Sequence, residues 1–382
     1  LNDLNDRMKV KSSVSLRRYI PAVKSRHSQQ SRTHTLKWFV AAFSAVALLA
    51  SASGVHAQGS TTSTTNGNFT NAGSSGGTYQ NIWIGARGAG MAGGFTALAD
   101  DITALYWNPA GIARMPNGIS VGATYTHWFG GITDNFLGVV LPLSEKYRLG
   151  FSMTLVDYGD IRQATIQQDY NAGTFNANDL GIGVTFAGAL TDRFSFGATV
   201  RYSRDAILDM SSGGIAFDAG SLYQTDFYNT KISLALTNLG ADQSFSGNSL
   251  SIEANNPNIN MVGRPLDLQL VTSSYPLPLS FVIGVATDVF QGKVENQKLN
   301  VALDFGTHSD GPQTFNLGGE YVWNDLLAIR TGYSFNQDQL GFAAGLGVKY
   351  KSEDFNGNID YSLTNTKNFG FIHRVSIAAA FQ

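Results

Sequence analysis

Four groups of residues could do chemistry. Gly88-Ala89-Gly90-Met91-Ala92-Gly93 has the G-x-G-x-x-G spacing that lets a backbone cradle a pyrophosphate, but that site needs a preceding strand, a following helix and an acid about 20 residues on. Here the preceding stretch is low-complexity and residues 111–120 contain no acid. Gly118-Ile119-Ser120-Val121-Gly122 matches the serine-hydrolase elbow G-x-S-x-G, which needs a strand-to-helix turn; these residues alternate as a strand does. Beyond residue 57 the only histidines are His127, His308 and His373. Each falls near a strand end, none has an evident triad role, and no two have metal-ligand spacing. The fourth group is a set of charges on the polar face of alternating segments: Arg201, Asp218, Asp304, Glu320, Arg330, Lys349, Asp360 and Arg374. Glu320 and Arg330 lie at similar heights across the Asn324-Asp325 turn, as do Arg201 and Asp218 across 205–212. Such charges either pair to stabilise an enclosed polar interior or line a route for a solute, and burial demands pairing in both cases. No catalytic residue, cofactor or metal is expected.

The elements that position these charges follow from composition. Charged residues are 14% of 382, against about 25% in soluble proteins. Gly is 42 and aromatics 12%, while Pro is scarce. Apart from Trp38–Ala50 there is no long apolar run, which excludes helical membrane spans elsewhere and leaves an all-β transmembrane barrel. With no cysteine, disulfides, thiol catalysis, thiolate metal sites and a Cys-linked lipid anchor are excluded.

Residues 1–57 read as a secretory signal peptide: a basic leader, the 13-residue apolar core Trp38–Ala50, and small residues at Val55-His56-Ala57. The remainder has a net charge of about −9, which argues against nucleic-acid partners. Residues 58–79, rich in Gly, Ser, Thr and Asn, read as a disordered linker. Residues 80–117 precede the first strand, and 118–382 form the barrel.

Within that barrel the period-2 alternation predicts about 14 antiparallel strands: 118–127, 133–143, 148–158, 179–190, 194–204, 213–225, 230–240, 279–290, 298–307, 313–323, 326–335, 340–350, 356–365 and 371–381. In 179–190, Leu180, Ile182, Val184 and Phe186 alternate with Gly181, Gly183, Thr185 and Ala187, so the large set faces lipid and the small set faces in. Connections after even-numbered strands are short and those after odd-numbered ones include the two longest, 159–178 and 241–278. This parity fits a first strand running outward from the periplasm of a bacterial outer membrane. Aromatics such as Trp128, Phe129, Tyr147, Tyr158, Phe227, Tyr228, Trp323 and Tyr350 cluster at strand ends, where interfacial girdles sit. The last strand ends on Phe381, close to the signal that barrel-assembly machinery reads. That machinery and outer-membrane lipids are the expected partners.

The stretch Gly85–Gly111, GARGAGMAGGFTALADDITALYWNPAG, resembles the N-terminal signature of the PorV/PorQ family. That family sits within the FadL-like long-chain fatty-acid transporter superfamily. Leu236–Gly240, Pro276–Leu279, Leu317–Tyr321 and Arg330–Tyr333 look like further family blocks. Where the secretion shuttle of the family ends its signature N-P-A-K, this sequence has Asn108-Pro109-Ala110-Gly111. The resemblance implies a 14-stranded barrel with its N-terminal segment folded inside as a hatch, or plug. The hatch residues are then Arg87, Gly90, Asp100, Asp101, Trp107, Asn108, Pro109, Ala110 and Gly111. Residues 97–107 read as a short helix ended by Pro109, with the glycines allowing close backbone packing. Asp100 or Asp101 is expected to pair with a lumen Arg or to bond hatch backbone N–H groups.

Two functions stay open. One is a hatch-plugged barrel that binds or passes a hydrophobic small molecule. The other is an accessory or shuttle barrel of type IX-like secretion, with loops 159–178 and 241–278 meeting client proteins or secretion components. An enzyme is not expected, because no nucleophile, base and metal set converges.

Overall fold

The structure is a computed structural model that describes residues 71, 73–164, 172–254, 266–337, 339–352 and 355–381. The expected signal segment 1–57 and most of the expected linker lie outside the described residues. Fourteen barrel strands run β1 Ile119–His127, β2 Thr133–Pro142, β3 Tyr147–Arg162, β4 Thr174–Thr191, β5 Phe194–Ile207, β6 Met210–Gln224, β7 Lys231–Gly240, β8 Ser280–Asp288, β9 Gln297–His308, β10 Thr314–Trp323, β11 Leu327–Phe335, β12 Leu340–Lys351, β13 Phe355–Thr366 and β14 Gly370–Phe381. Each pairs antiparallel with its neighbours in this order. β14 returns to β1 from Ile119↔Phe381 to His127↔His373, closing the sheet. Closure leaves no unpaired edge in lipid, the condition for spanning a membrane with strands. One extra two-residue strand, Ser246–Gly247, pairs beside β6, and Ser251–Ala254 pairs with Leu266–Gln269 apart from the barrel.

The alternation sorts the faces. Ile182, Val184 and Phe186 are outward and exposed, whereas Thr185 and Ala187 between and beside them are fully buried. Two features differ from the sequence reading. β3 to β6 are 16, 18, 14 and 15 residues long, although about 9–11 suffice to cross a bilayer. Their pairing continues past the expected strand ends and absorbs both ends of the 159–178 connection, as far as Arg162↔Thr174. Trp128 and Tyr158 also leave the expected girdle. Trp128 lies against the Arg374 guanidinium, 5.5 Å from ring centre to Cζ, and the Tyr158 hydroxyl donates to Asp179 at 2.6 Å. Both rings cover the apolar top of the enclosed segment around Tyr79 and Ile82.

The core lies in what the sheet encloses. Ile84, Met91, Phe95, Leu98, Ile102, Leu105 and Ile112 are all buried. This hatch begins earlier than expected, since Gly77 and Tyr79 are already buried; the Tyr79 hydroxyl reaches Leu180 O and Ser203 Oγ. Its helical turns are also placed differently. α1 spans Ala86–Gly90 and α2 only Ala104–Trp107, in place of one helix over 97–107. Asp101 explains the late start of α2: its Oδ1 accepts from the Thr103 N–H at 2.9 Å and the Thr103 hydroxyl at 2.5 Å. That local turn competes with helix. Upstream, the Phe95 and Thr96 N–H groups go to the Asp304 carboxylate rather than to helical carbonyls.

Candidate functional site: the hatch and its lock

Asn108 stands at the turning point of the hatch. Pro109 forces it into extended backbone (φ −162°, ψ 107°). Its Oδ1 then accepts from Ala110 N at 3.1 Å, capping the 3-10 turn Pro109–Arg114. Its Nδ2 donates to Ser221 O of β6 at 3.2 Å, fixing that turn to the wall. The turn packs against β3 to β6, where wall glycines make room. A Cβ on Gly197 would run into the Pro109 backbone, one on Gly220 into Asn108, and one on Gly150 into Leu105. Gly111 belongs to the same fit, because any side chain there would strike the Ala99 carbonyl. This accounts for glycine at position 111. Trp107 donates from Nε1 to Ile84 O at 2.8 Å and meets Phe95 edge-on.

On the opposite wall the contacts are ionic. Arg87, on α1, places Nε 2.9 Å and Nη2 3.1 Å from the two Glu320 oxygens of β10. Its Nη1 lies 2.6 Å from Asp100 and 3.0 Å from Asp101. Glu320 also accepts from Arg330 Nε of β11 at 2.8 Å and from Asn300 of β9 at 3.0 Å. Arg330 continues to Asp360 of β13 at 2.7 Å. Lys231 approaches Asp100 at 3.8 Å, and Lys349 faces Glu320 and Asp100 from β12, half-buried. Two arginines and two lysines thus balance four carboxylates. Burial opposes charge on Arg87, yet Glu320, Asp100 and Asp101 hold its guanidinium well above the ordinary arginine range. Burial would likewise raise the Asp100 carboxyl, but Arg87 and Lys231 keep it below its usual value. Both hatch carboxylates therefore pair with the hatch's own Arg87 rather than with a lumen Arg, and Asp101 also bonds backbone at Thr103. Close approach completes this side: a Cβ on Gly90 would sit 3.2 Å from the Gly345 Cα of β12.

The remaining lumen charges divide in two. Asp304 grips Phe95 N and Thr96 N at 3.1 and 2.8 Å, and Arg374 donates to Trp83 O at 3.0 Å and to Thr364 at 2.9 Å. Arg201 and Asp218 stay within the wall, 2.5 Å apart. A bulge in β7 at Asn238 (φ +64°), opposite Asp218, turns the Asn238 N–H onto that carboxylate as well. Sequence reasoning missed the uncharged wall donors and acceptors, such as Ser376 bonding Ala86 N at 2.8 Å and Ser203 at the mouth. Their only signal was polarity on the inward face, which every lumen serine shares.

Above the lock lies a cavity of about 210 Å³ between hatch and β7 to β9, lined by Trp83, Tyr106, Trp107, Arg201, Asn238 and His308 among others. His308 contacts the Ser280 hydroxyl through Nδ1 at 2.8 Å, but its Nε2 meets the Thr314 hydroxyl at 3.2 Å, not a carboxylate that would orient a catalytic base. Ser120 lies on β1, so the G-x-S-x-G spacing forms no elbow.

Residues 68–233 match the family model of the type IX secretion system protein PorV. Among solved structures, the CymD monoaromatic hydrocarbon channel aligns at 14% identity with a TM-score of 0.52, over 79% of this chain and 98% of that one. The toluene transporter TbuX of Ralstonia pickettii aligns at 12% identity with a TM-score of 0.50, over 78% and 98%. Residues 68–233 thus resemble PorV, and the chain has the closed β-barrel fold of the channel and the transporter. No curated protein matched in sequence. The PorV match runs from the hatch through β6 to the start of β7, so it takes in the whole β3–β6 seat of the hatch. The FadL-like likeness covers the closed barrel. These matches are a secretion-system protein, a channel and a transporter.

Proposed function

We propose that this FadL-like barrel is a plugged, non-conducting partner in outer-membrane protein secretion of the type IX kind, meeting clients or secretion components at its extracellular rim. The observation that carries this reading is the lock: a charge-balanced network from Arg87 through Glu320 and Arg330 to Asp360 ties the hatch to one wall of the lumen. A conduit that cycles open would have to break several buried ion pairs, each costly once one partner is lost. The PorV match adds support because it includes β3 to β6, the strands that stand furthest beyond the bilayer.

The second reading, binding or passage of a hydrophobic small molecule, draws support from the fold likeness to a hydrocarbon channel and a toluene transporter, and from the rings of Trp83, Tyr106 and Trp107 at the cavity. Against it, an apolar occupant there would leave Arg201, Asn238 and their neighbours without water. The test reconstitutes the full chain into liposomes and planar bilayers. Silence in conductance and no entry of toluene, together with rim crosslinks to secretion components in cells, are the expected results. Protein-dependent toluene entry through the wild-type chain would replace this reading with the second.

A further inference from the structure

The extracellular rim holds a second cavity that the lock does not use. Asp179 of β4 and Asp205 of β5 stand directly opposite each other in register. Both face inward, at 6% and 9% exposure. Like charges in that position destabilise a strand pair. Among the described residues no cation pairs with either, and Arg201, four residues along β5 on the same face, is committed to Asp218. One oxygen of each carboxylate is occupied: Asp179 Oδ2 by the Tyr158 hydroxyl, and Asp205 Oδ2 by the Gly77 N–H at 3.1 Å. Asp205 Oδ1 is buried with no hydrogen-bond partner, and so is the Ser75 hydroxyl. Both residues line one cavity of about 390 Å³ with Asp179, and no Lys, Arg or His lines it.

The cavity is roofed by the strap 73–78, which leads into the hatch. Gly76 N bonds Pro276 O at 3.0 Å, and a Cβ on Gly76 would run into the Tyr275 ring. Gly77 adopts φ +61°, a turn that presents its N–H to Asp205. The strap is therefore shaped to the carboxylates, yet the Asp205 Oδ1 remains buried without a partner. A buried carboxylate that stays ionised needs a cation or a metal. Every donor here is oxygen, which selects a hard cation, and the irregular setting suits calcium's 6–8 flexible ligands better than magnesium's strict octahedron.

We infer that Asp179, Asp205 and the Ser75 hydroxyl form a calcium site that pins the strap of the hatch to the extracellular rim. Strap carbonyls and water complete the shell. With two carboxylates the affinity belongs to the range of extracellular modules, ~10⁻⁴–10⁻³ M. The site is independent of which function the barrel serves.

The experiment uses the full chain, refolded free of lipopolysaccharide in detergent and titrated with Tb³⁺ under tyrosine excitation, since Tyr158 and Tyr275 border the cavity. Saturable emission from one ion per chain is expected, reversed by millimolar Ca²⁺ but not by equal Mg²⁺. Ca²⁺ should also raise Tm relative to EDTA. Asp205→Asn and Asp179→Asn should each weaken binding by at least about tenfold. In EDTA each should match or exceed the wild-type Tm, because the like-charge pair is gone. Glu145→Gln, on the exposed periplasmic turn, should bind as wild type. Heat-modifiable mobility identifies any variant that fails to assemble, and the wild-type titration then decides alone. No saturable emission from wild type, or unchanged emission from assembled Asp205→Asn, would overturn the site.

Discussion

The hatch is held on two sides by different physics. Against β3 to β6 the hold is shape: the Pro109–Arg114 turn, Leu105 and Ile112 fill hollows left by Gly150, Gly197 and Gly220. Against β9 to β14 it is charge: Arg87, Asp304 and Arg374 exchange directional bonds between hatch and wall. Packing is non-directional and fails only when volume changes. A buried ion pair demands its partner and fails when charge changes. The shape side thus sets how deep the plug sits, and the charge side sets its register and gives it a chemical release.

Deleting residues 85–111 removes both holds. If the barrel still assembles, it should show the largest single-channel conductance of the series; an assembled deletion as silent as wild type would mean the hatch does not occlude. Glu320→Ala comes next, since it leaves Arg87 and Arg330 buried without their common partner, a loss of ~3–5 kcal/mol. Frequent opening in bilayer recordings is expected, and Glu320→Gln should rescue little of it, because the charge is lost and one accepting oxygen becomes an NH2 that faces the donors of Arg87 or Arg330. Gly197→Val attacks the shape side by forcing side-chain atoms into the Pro109 backbone, at ~1–3 kcal/mol. It should lower Tm and displace the hatch, with conductance insensitive to acid. Asp100→Asn combined with Asp101→Asn should cost less, up to ~1 kcal/mol, because Asp100 is 38% exposed and such pairs are screened; a small rise in probe uptake measures it.

The smallest effect separates the two holds by pH. Arg87 and Lys231 keep the Asp100 carboxyl below its ordinary value despite burial. Its contribution is therefore complete above the unfolded value of about 4 and lost as pH falls through the lower folded value. The Asp100 share of the wild-type openings should appear only in strong acid, and Asp100→Asn should remove that share. Equal acid sensitivity in both would place the release elsewhere in the lock.

Legibility differed between wall and plug. The strand order, faces and closure were readable because alternation of large apolar and small residues repeats every two positions, and lipid permits nothing else on the outer face. The Glu320–Arg330 pair was readable for the same reason, being opposite residues across a short turn. Inside, the reading was coarser. The helix expected over 97–107 shrank to Ala104–Trp107 because Asp101 turned its carboxylate onto Thr103, a competition that apolar periodicity does not register. Arg87 could be named as a hatch residue, but nothing nearby in sequence pointed to Glu320, 233 positions away.

The sequence by itself determined a closed outer-membrane barrel of fourteen strands, an inward set of charges, and an apolar, glycine-rich segment before β1 that needed enclosure. Each follows from local periodicity and composition acting against water or lipid. Only the tertiary structure decided which charge meets which, that Asp100 and Asp101 serve Arg87, and that Asp179 and Asp205 confront each other under the strap. Those outcomes depend on barrel register and hatch depth, which bring distant residues to within a few ångströms, where hydrogen-bond geometry selects the partner.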